Sequence, residues 1–245
     1  MGYRIEHDSM GEVKVPEDKY WAAQTERSRG NFKIGVGTET MPREITHAFG
    51  ILKKAAAIAN AAVRPEKMTE EKLNAISSAC DEVISGSLND HFPLVVWQTG
   101  SGTQSNMNAN EVIANRANQI AGEKLCHPND DINMSQSSND TFPTAMHISA
   151  VVAIEDKLLP AIELLINTFK KLEAENEGIV KSGRTHLQDA TPIKFSQEIS
   201  GWRASLERDA ELLRMAVKPL YELALGGTAV GTGLNAPKGF SELVA

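Results

Sequence analysis

The chain has 245 residues, which is long enough for one large domain or two modest ones with buried cores. Its hydrophobic content of 41% and charged content of 23% are those of a soluble globular protein, and the few aromatics (5%) beside abundant alanine favour close helix packing over a sheet sandwich. A net charge of −7, without any Lys- and Arg-rich run interleaved with aromatics, argues against a nucleic-acid-binding protein.

The first third of the chain predicts two helices after an irregular start. Glycines and a proline interrupt any period in residues 1–38, so short strands or turns are all that we expect there. A helix is predicted from Pro42 to about Val63. A second helix opens after Thr69 with two glutamates in its first turn, where carboxylates suit the helix dipole, and it stops at Gly86.

A helix rich in asparagine is predicted after a turn at Gly100–Thr103. Each asparagine costs about half a kcal/mol of helix propensity relative to alanine. The five residues are Asn106, Asn108, Asn110, Asn115 and Asn118. Two explanations are equally good at this point: amide hydrogen bonds between packed helices, or a polar wall around a binding site.

The stretch Cys126–His147 is poor in apolar side chains, although the segments on either side of it read as buried helix. Asp140 or Thr141 is predicted to cap a helix that carries Pro143 in its first turn. By itself, the stretch favours a polar interdomain loop with a helix cap over a loop that binds a small polar ligand.

The second half of the chain predicts long helices that are separated by polar turns. A helix is predicted over Ala145–Lys157; Pro160 interrupts it, and the helical pattern resumes to about Glu177. A polar turn follows over Ser182–Asp189, and then a long helix from Thr191 to about Pro219. A glycine-rich loop over Gly226–Gly233 comes next. Since there is no βαβ alternation, the predicted fold is mainly α, and residues 130–140 are the natural hinge.

Candidate chemistry is concentrated in the polar turns. Neither glycine-rich loop continues into Gly-Lys-Ser/Thr or follows a predicted strand, so we expect no nucleotide site. No two of the six histidines have the i, i+4 spacing of a helical metal site, so we expect no metal. His127 and His186 each lie in a turn dense with hydrogen-bonding side chains, and His186, beside Thr185 and near Asp189, could be a general acid or base.

Three turns rich in Ser, Thr and Asn each precede a predicted helix. They are Ser101–Thr103, Ser137–Asp140 and Ser182–His186. If the helices form a bundle, their N-termini and hydroxyls can converge on one anion and stabilise its charge without a buried cation. An acidic protein would need such an arrangement to bind a small dicarboxylate.

The blocks of sequence around these turns resemble those of class II fumarases. The blocks are Gly100–Val112, His127–Asp130, Ser135–Asp140, Gly183–Ala190 and Gly226–Asn235, together with Asp8–Val13 and Trp21–Thr25. Because several long motifs occur in order along the whole chain, the resemblance is specific. It implies reversible hydration of fumarate to L-malate without a metal or other cofactor, in a homotetramer whose central domain is a five-helix bundle and whose active site draws on three subunits.

The resemblance also implies roles for individual residues. It makes His186 the catalytic acid or base, acting through a water, and it places the substrate carboxylates on Ser101, Gly102, Thr103, Ser137, Ser138, Asn139 and Thr185. It implies a second dicarboxylate site at Lys124, His127, Pro128, Asn129 and Asp130, where Lys124 stands at a position often occupied by Arg.

The resemblance further implies a mostly helical N-terminal domain with a small irregular or short-strand region over residues 1–136, and a partial central helical bundle over residues 137–245. A later mobile loop of the family, Gly-Ser-Ser-x-Met-Pro-x-Lys-x-Asn, carries the Ser implicated as the proton-abstracting base. That loop lies beyond Ala245, so we expect the chain to be an N-terminal half that is inactive alone and does not form the usual tetramer.

The sequence leaves two alternative functions open and indicates where the protein is located. Elimination of ammonia from aspartate is one alternative, although aspartases typically carry Gln where His186 stands; a non-catalytic helical interaction module is the other. Cys80 and Cys126 fit no zinc or redox spacing, and the N-terminus lacks the features of a signal or transit peptide. We therefore expect a reduced, cytoplasmic protein that does not bind membranes.

Overall fold

A computed structural model describes residues 2–245 of the chain. The described chain begins with an antiparallel hairpin of β1 (Tyr3–Asp8) and β2 (Gly11–Pro16), with Tyr3 opposite Pro16 and Asp8 opposite Gly11. Gly11 has a φ of 108°, a conformation that favours glycine at the turn. The short strands expected at the start of the chain are therefore confirmed.

A helix that the sequence did not predict follows the hairpin. Helix α1 (Ala23–Asn31) lies inside residues 1–38, so the expectation of irregular chain is wrong for this segment. Its apolar residues do not repeat with a helical period, which removes the usual signal. The carboxylate of Glu111 accepts hydrogen bonds from the N–H groups of Ala22, Gln24 and Thr25, so a residue far along the chain caps the helix.

Three helices build the core of the first compact unit. They are α2 (Arg43–Val63), α3 (Glu70–Ile84) and α4 (Thr103–Ala121), and α3 packs against both of the others. The predicted helices of this region are confirmed, and the Thr69 hydroxyl caps α3 by accepting the N–H of Lys72 at 3.4 Å. Buried side chains from the three helices form the core, including those of Phe49, Leu52, Ile76, Val83, Val112 and Ile113.

Helix α5 (Ser138–Ala153) leads through a π-helical turn at Ile154–Leu158 into α6 (Leu159–Glu175). Pro160 lies in the first turn of α6, so the predicted interruption at this proline is confirmed. The predicted cap of α5 is wrong by a few residues. Ser137 caps the helix, because its hydroxyl accepts the N–H of Asn139 while Asp140 Oδ1 accepts the N–H of Ser137.

A second hairpin replaces the polar turn that the sequence predicted. Strand β3 (Val180–Thr185) pairs with β4 (Gln188–Lys194), and α7 (Phe195–Val217) follows directly. A helix start at Thr191 is therefore wrong: Thr191 and Pro192 lie in β4, and a two-stranded ribbon tolerates a proline because both strands are edges. The third of the Ser- and Thr-rich turns precedes a strand rather than a helix.

The chain ends with a 3-10 turn at Lys218–Tyr221, the glycine-rich loop and α8 (Phe240–Val244). The described residues form two compact units, one of residues 2–149 with Glu222–Ala245 and the other of Ala150–Tyr221. The predicted mainly α fold is confirmed, and the domain division at residues 136 and 137 stays a proposal. Within residues 2–245, no helix is both long enough and apolar enough to cross a membrane.

The first prediction concerns the Glu111 cap of α1. In the wild type, the Glu111 carboxylate accepts backbone N–H groups at 2.8–3.1 Å. Replacing Glu111 with Gln turns one of its acceptor oxygens into an NH2 group that faces these N–H groups. We expect the free energy of unfolding in urea to fall by about 2 kcal/mol. Glu123→Gln, at an exposed position, is the control and should change stability by less than about 0.5 kcal/mol. Equal stabilities of the two variants would contradict the role of the cap.

Candidate functional site

The N-termini of α4 and α5 meet at the centre of the candidate site. Gly102 precedes α4 with a φ of 75°, and a Cβ at this position would overlap with the side chain of Phe142 near the start of α5. On either side of the buried Gly102, Ser101 and Thr103 are exposed, and their hydroxyl oxygens lie 3.3 Å apart. Glycine is therefore required here both for its conformation and for the close approach of the helices.

The Ser137–Asn139 turn forms the α5 side of the same place. Ser138 Oγ accepts a hydrogen bond from Asn106 Nδ2 in the first turn of α4 at 3.1 Å, and Asn139 Nδ2 donates to the carbonyl of Ala229 at 2.8 Å. The structure thus brings together six predicted substrate contacts at two helix N-termini, where backbone N–H groups and the helix dipole favour an anion. They are Ser101, Gly102, Thr103, Ser137, Ser138 and Asn139.

A buried lysine lies beneath these helix termini. Lys53 of α2 is 1% exposed, and its Nζ donates to Asn106 Oδ1 at 2.7 Å, Gln136 Oε1 at 2.9 Å and Asn133 Oδ1 at 3.0 Å. Burial lowers the pKa of the Lys53 ammonium to about 7, against the opposing attraction of Asp140. Three neutral amide oxygens satisfy all three N–H groups of the ammonium.

Lys53 is the functional candidate that sequence reasoning missed. We expected an anion site without a buried cation, and that expectation is wrong. A signal was present, because Lys53 falls between Leu52 and Ala56 on the apolar face of the predicted helix. Lysine is almost never fully buried, so composition gave no reason to place it inside.

The hydrogen bonds of the α4 asparagines bear on the two explanations. Asn108, Asn115 and Asn118 each donate to a backbone carbonyl of another segment, at 3.0, 2.7 and 2.9 Å, and so serve packing. Asn110 donates to the sulfur of Met107 in its own helix. Asn106 bonds to Lys53 of α2 and to Ser138 of α5, so it also joins packed helices, and it is the asparagine of α4 that does so at the candidate site.

Asp140 ties the glycine-rich loop to the site. Its Oδ2 accepts the N–H groups of Gly226 at 3.1 Å and Thr228 at 2.8 Å, while its Oδ1 accepts that of Ser137 at 2.8 Å. The loop needs left-handed backbone at several positions, including a φ of 97° at Gly226. The buried Asp140 carboxylate accepts three backbone N–H groups and therefore has a structural role. Its negative charge also balances part of the Lys53 charge.

The predicted second site is only partly assembled around one cavity. Lys124, His127, Pro128 and Asn129 line a cavity of about 590 Å³, and Thr103 lines the same cavity. Asp130 faces a different depression of about 670 Å³ together with Asn129. His127 Nδ1 accepts the N–H groups of Asn129 and Asp130, both at 3.3 Å, which leaves Nε2 to carry the proton of the neutral ring.

Thr185 and His186 belong to the second compact unit. His186 and Leu187 form the two-residue turn between β3 and β4, with φ values of 51° and 61° that are unusual for residues other than glycine. Both side chains are exposed, and Leu187 is 95% exposed. Residues in such unfavourable backbone conformations are concentrated at functional sites. Among residues 2–245, no cluster of three or more His, Cys, Asp or Glu side chains could hold a metal ion.

Comparison with known proteins identifies the family. The chain matches the family described as "Lyase" over residues 11–245. The chain belongs to this lyase family. Among its relatives, a class II fumarate hydratase of Bacillus cereus is 59% identical over an alignment of 249 residues that covers all of this chain and 53% of the relative. A class II fumarate hydratase of Campylobacter jejuni is 58% identical, again with 53% of the relative covered.

Solved structures agree with this family assignment. A class II fumarase of Schistosoma mansoni superposes with a TM-score of 0.93 at 42% sequence identity, covering 99% of this chain and 51% of that one. A protein of Brucella melitensis, named as fumarate lyase:delta crystallin, superposes with a TM-score of 0.90 at 40% sequence identity, covering 99% of this chain and 53% of that one. The resemblance to class II fumarases is confirmed. The chain spans about half the length of the curated relatives it matches.

The second prediction tests the contact between the two helix N-termini. In Gly102→Ala, the new methyl group meets Phe142 and the backbone must keep a φ of 75°, so we expect a loss of about 3 kcal/mol in the free energy of unfolding. Gly100→Ala is the matched control, because nothing lies within 4 Å of the added Cβ. Chemical denaturation measures both variants, and a stable Gly102→Ala protein would refute the packing described.

The third prediction follows from the pKa of Lys53. Below about pH 7 the ammonium is charged in the folded and unfolded chains, but between about 7 and 10.5 only the unfolded chain keeps its proton. Wild type should therefore gain stability relative to Lys53→Met as pH rises through this window. Urea unfolding at several pH values measures the difference, with Lys54→Met, which removes a partly exposed lysine paired with Asp81, as the control. A difference that is flat or falls with pH would contradict the burial of a lysine with a lowered pKa.

Proposed function

We propose that the protein containing this chain catalyses the reversible hydration of fumarate to L-malate, and that residues 101–103 and 137–139 bind the substrate carboxylates. The observation that carries the proposal is the meeting of two helix N-termini, with their hydroxyls, above a buried ammonium. This arrangement offers donors and positive potential to a dianion within a protein of net charge −7. Relatives named class II fumarate hydratase that are nearly 60% identical support the same activity.

The chemistry requires stabilised negative charge and a proton donor. Removal of the C3 proton of malate creates a carbanion, whose charge spreads into the adjacent carboxylate. Donors fixed at Ser101, Thr103 and Ser138 would lower this barrier, because they are already oriented before the charge develops. Protonation of the C2 hydroxyl then lets it leave as water, and we propose that His186 takes part in the proton transfers through a water.

The exposed turn of β3 and β4 suits this role for His186. Its imidazole and the neighbouring Thr185 hydroxyl are displayed rather than packed into the core. The resemblance to class II fumarases implies a homotetramer whose active site draws on three subunits, so the turn and the helix N-termini need not come from the same chain. We propose the homotetramer for the protein that contains this chain.

We propose a second, weaker dicarboxylate site at the cavity that Lys124, His127, Pro128 and Asn129 line, with Asp130 nearby in sequence. His127 Nε2 and the Lys124 ammonium would be its donors, and Thr103 in the same wall would link it to the first site. We also propose a cytoplasmic location. Its support is that Cys80 and Cys126 are both free, buried thiols, as is common where thiols stay reduced.

The fourth prediction tests the activity and the role of His186 together. In the full-length protein, His186→Asn should lower kcat for malate roughly a hundredfold or more, measured by the ultraviolet absorbance of fumarate. Asparagine tolerates the left-handed backbone of this turn, so the fold should be kept.

Leu187→Asn is the control, because it changes the same turn without removing the imidazole. Unchanged turnover in His186→Asn would exclude the acid–base role. A wild-type protein that eliminates ammonia from aspartate and does not hydrate fumarate would overturn the proposed function.

A further inference from the structure

The hydroxyl of Ser138 is a free donor at the centre of the candidate site. Ser138 Oγ accepts a hydrogen bond from Asn106 Nδ2 at 3.1 Å. Within residues 2–245, the structure shows no acceptor for the O–H of Ser138 itself, although the side chain is half-buried. A hydroxyl that already accepts one bond is oriented to donate its hydrogen elsewhere.

Lys53 determines which way the amide of Asn106 points. Protonated Lys53 has only donors, so the atom that faces its Nζ at 2.7 Å must be the oxygen of the amide. The Thr141 hydroxyl donates to the same oxygen at 3.1 Å. The NH2 group of Asn106 must then face Ser138, which is why Ser138 accepts rather than donates at this contact.

The amides of Asn133 and Gln136 are oriented in the same way as that of Asn106, with the oxygen toward Lys53. The oxygens of Asn133 and Gln136 face the ammonium, and their NH2 groups face backbone carbonyls: Gln136 Nε2 donates to Met134 at 2.9 Å, and Asn133 Nδ2 donates to the carbonyl of Gln136 at 3.3 Å. Asn133 Oδ1 also accepts from Asn106 Nδ2 at 3.1 Å. Rotating any of these amides would place an NH2 group against the ammonium and leave a buried donor unpaired.

We propose that Lys53 is a positioning residue that fixes the hydrogen-bond polarity of the site through Asn106, so that Ser138 presents its hydrogen to a substrate carboxylate. The inference rests on the proposed function, because it takes the ligand to be a dicarboxylate. Lys53 does not touch the ligand in this arrangement. Its ammonium acts through one amide, and an opposite orientation of that amide would turn the Ser138 hydrogen inward, leaving a lone pair facing the carboxylate.

A double-mutant cycle in the full-length protein, measured below about pH 7 where Lys53 keeps its proton, tests this polarity. In Asn106→Asp, the carboxylate can accept from Lys53 and from Ser138 at once, so the Ser138 hydroxyl should donate inward. Ser138→Ala should raise KM for fumarate about tenfold in the wild-type background, the value of one hydrogen bond to a charged group. In the Asn106→Asp background the same change should raise KM by less than about twofold. Simple repulsion of the substrate by the new carboxylate would instead leave the two effects equal.

Two further variants separate positioning from stability. Asn108→Asp makes the same substitution at a buried asparagine of the same helix that bonds to the carbonyl of His91, so it should lower the unfolding temperature and leave KM unchanged. Lys53→Met should reduce the effect of Ser138→Ala on KM as Asn106→Asp does, while Lys54→Met should not. If Lys53→Met does not fold, the Asn106→Asp cycle alone decides.

The outcomes are distinct. A smaller effect of Ser138→Ala in Asn106→Asp than in wild type supports the inference. An active enzyme in which Ser138→Ala changes KM equally in both backgrounds, or not at all in wild type, overturns the inference and leaves the proposed function standing. A wild-type protein that neither hydrates nor binds fumarate overturns the proposed function, and the inference falls with it.

Discussion

The buried ammonium of Lys53 is the interaction on which the candidate site depends. Moving a charge out of water costs several kcal/mol unless its hydrogen bonds are replaced, and here three amide oxygens at 2.7–3.0 Å replace them. These oxygens come from α4 and from the segment that leads into α5. One side chain of α2 therefore fixes the relative position of the two helices whose N-termini form the site.

The need for hydrogen-bond acceptors around Lys53 explains polar residues that helix propensity does not explain. An asparagine at position 106 is unfavourable for a helix, yet its amide is the only group in α4 that bonds to Lys53 and to Ser138. The polar stretch before α5 has a similar origin, since Asn133 and Gln136 supply the other two acceptors and Asp140 holds the glycine-rich loop. The polar residues are kept for contacts within the site, and the apolar faces of the helices supply the stability.

What the sequence predicted correctly was encoded locally. Helices α2 and α3 have apolar periodicity and clear boundary residues such as Pro42 and Thr69, so their ends could be predicted closely. Helix α1 could not be predicted, because its cap is the carboxylate of Glu111, more than 80 residues away in sequence. The β3–β4 hairpin was missed for a related reason: His186 and Leu187 form its turn, and neither is a residue that usually adopts left-handed backbone.

The candidate site shows the same division between local and distant information. Each polar turn could be recognised from its own sequence, and the resemblance to class II fumarases gave each a role. Lys53 could not be found in this way, because its acceptors lie 53 to 83 residues further along the chain and no motif spans that distance.

Under the proposed function, the position of Lys53 also bears on how an acidic protein could bind a dianion and still release it. A direct ion pair between a buried ammonium and a carboxylate is strong, since both charges are shielded from water. Asn106 lies between Lys53 and Ser138, so the ammonium is connected to the candidate site by hydrogen bonds through the Asn106 amide and the Ser138 hydroxyl. Asp140 accepts three backbone N–H groups nearby and offsets part of the positive charge. Under the proposed function, the ammonium would orient donors toward an anion without forming a salt bridge with it, which suits a reversible reaction whose substrate and product carry the same charge.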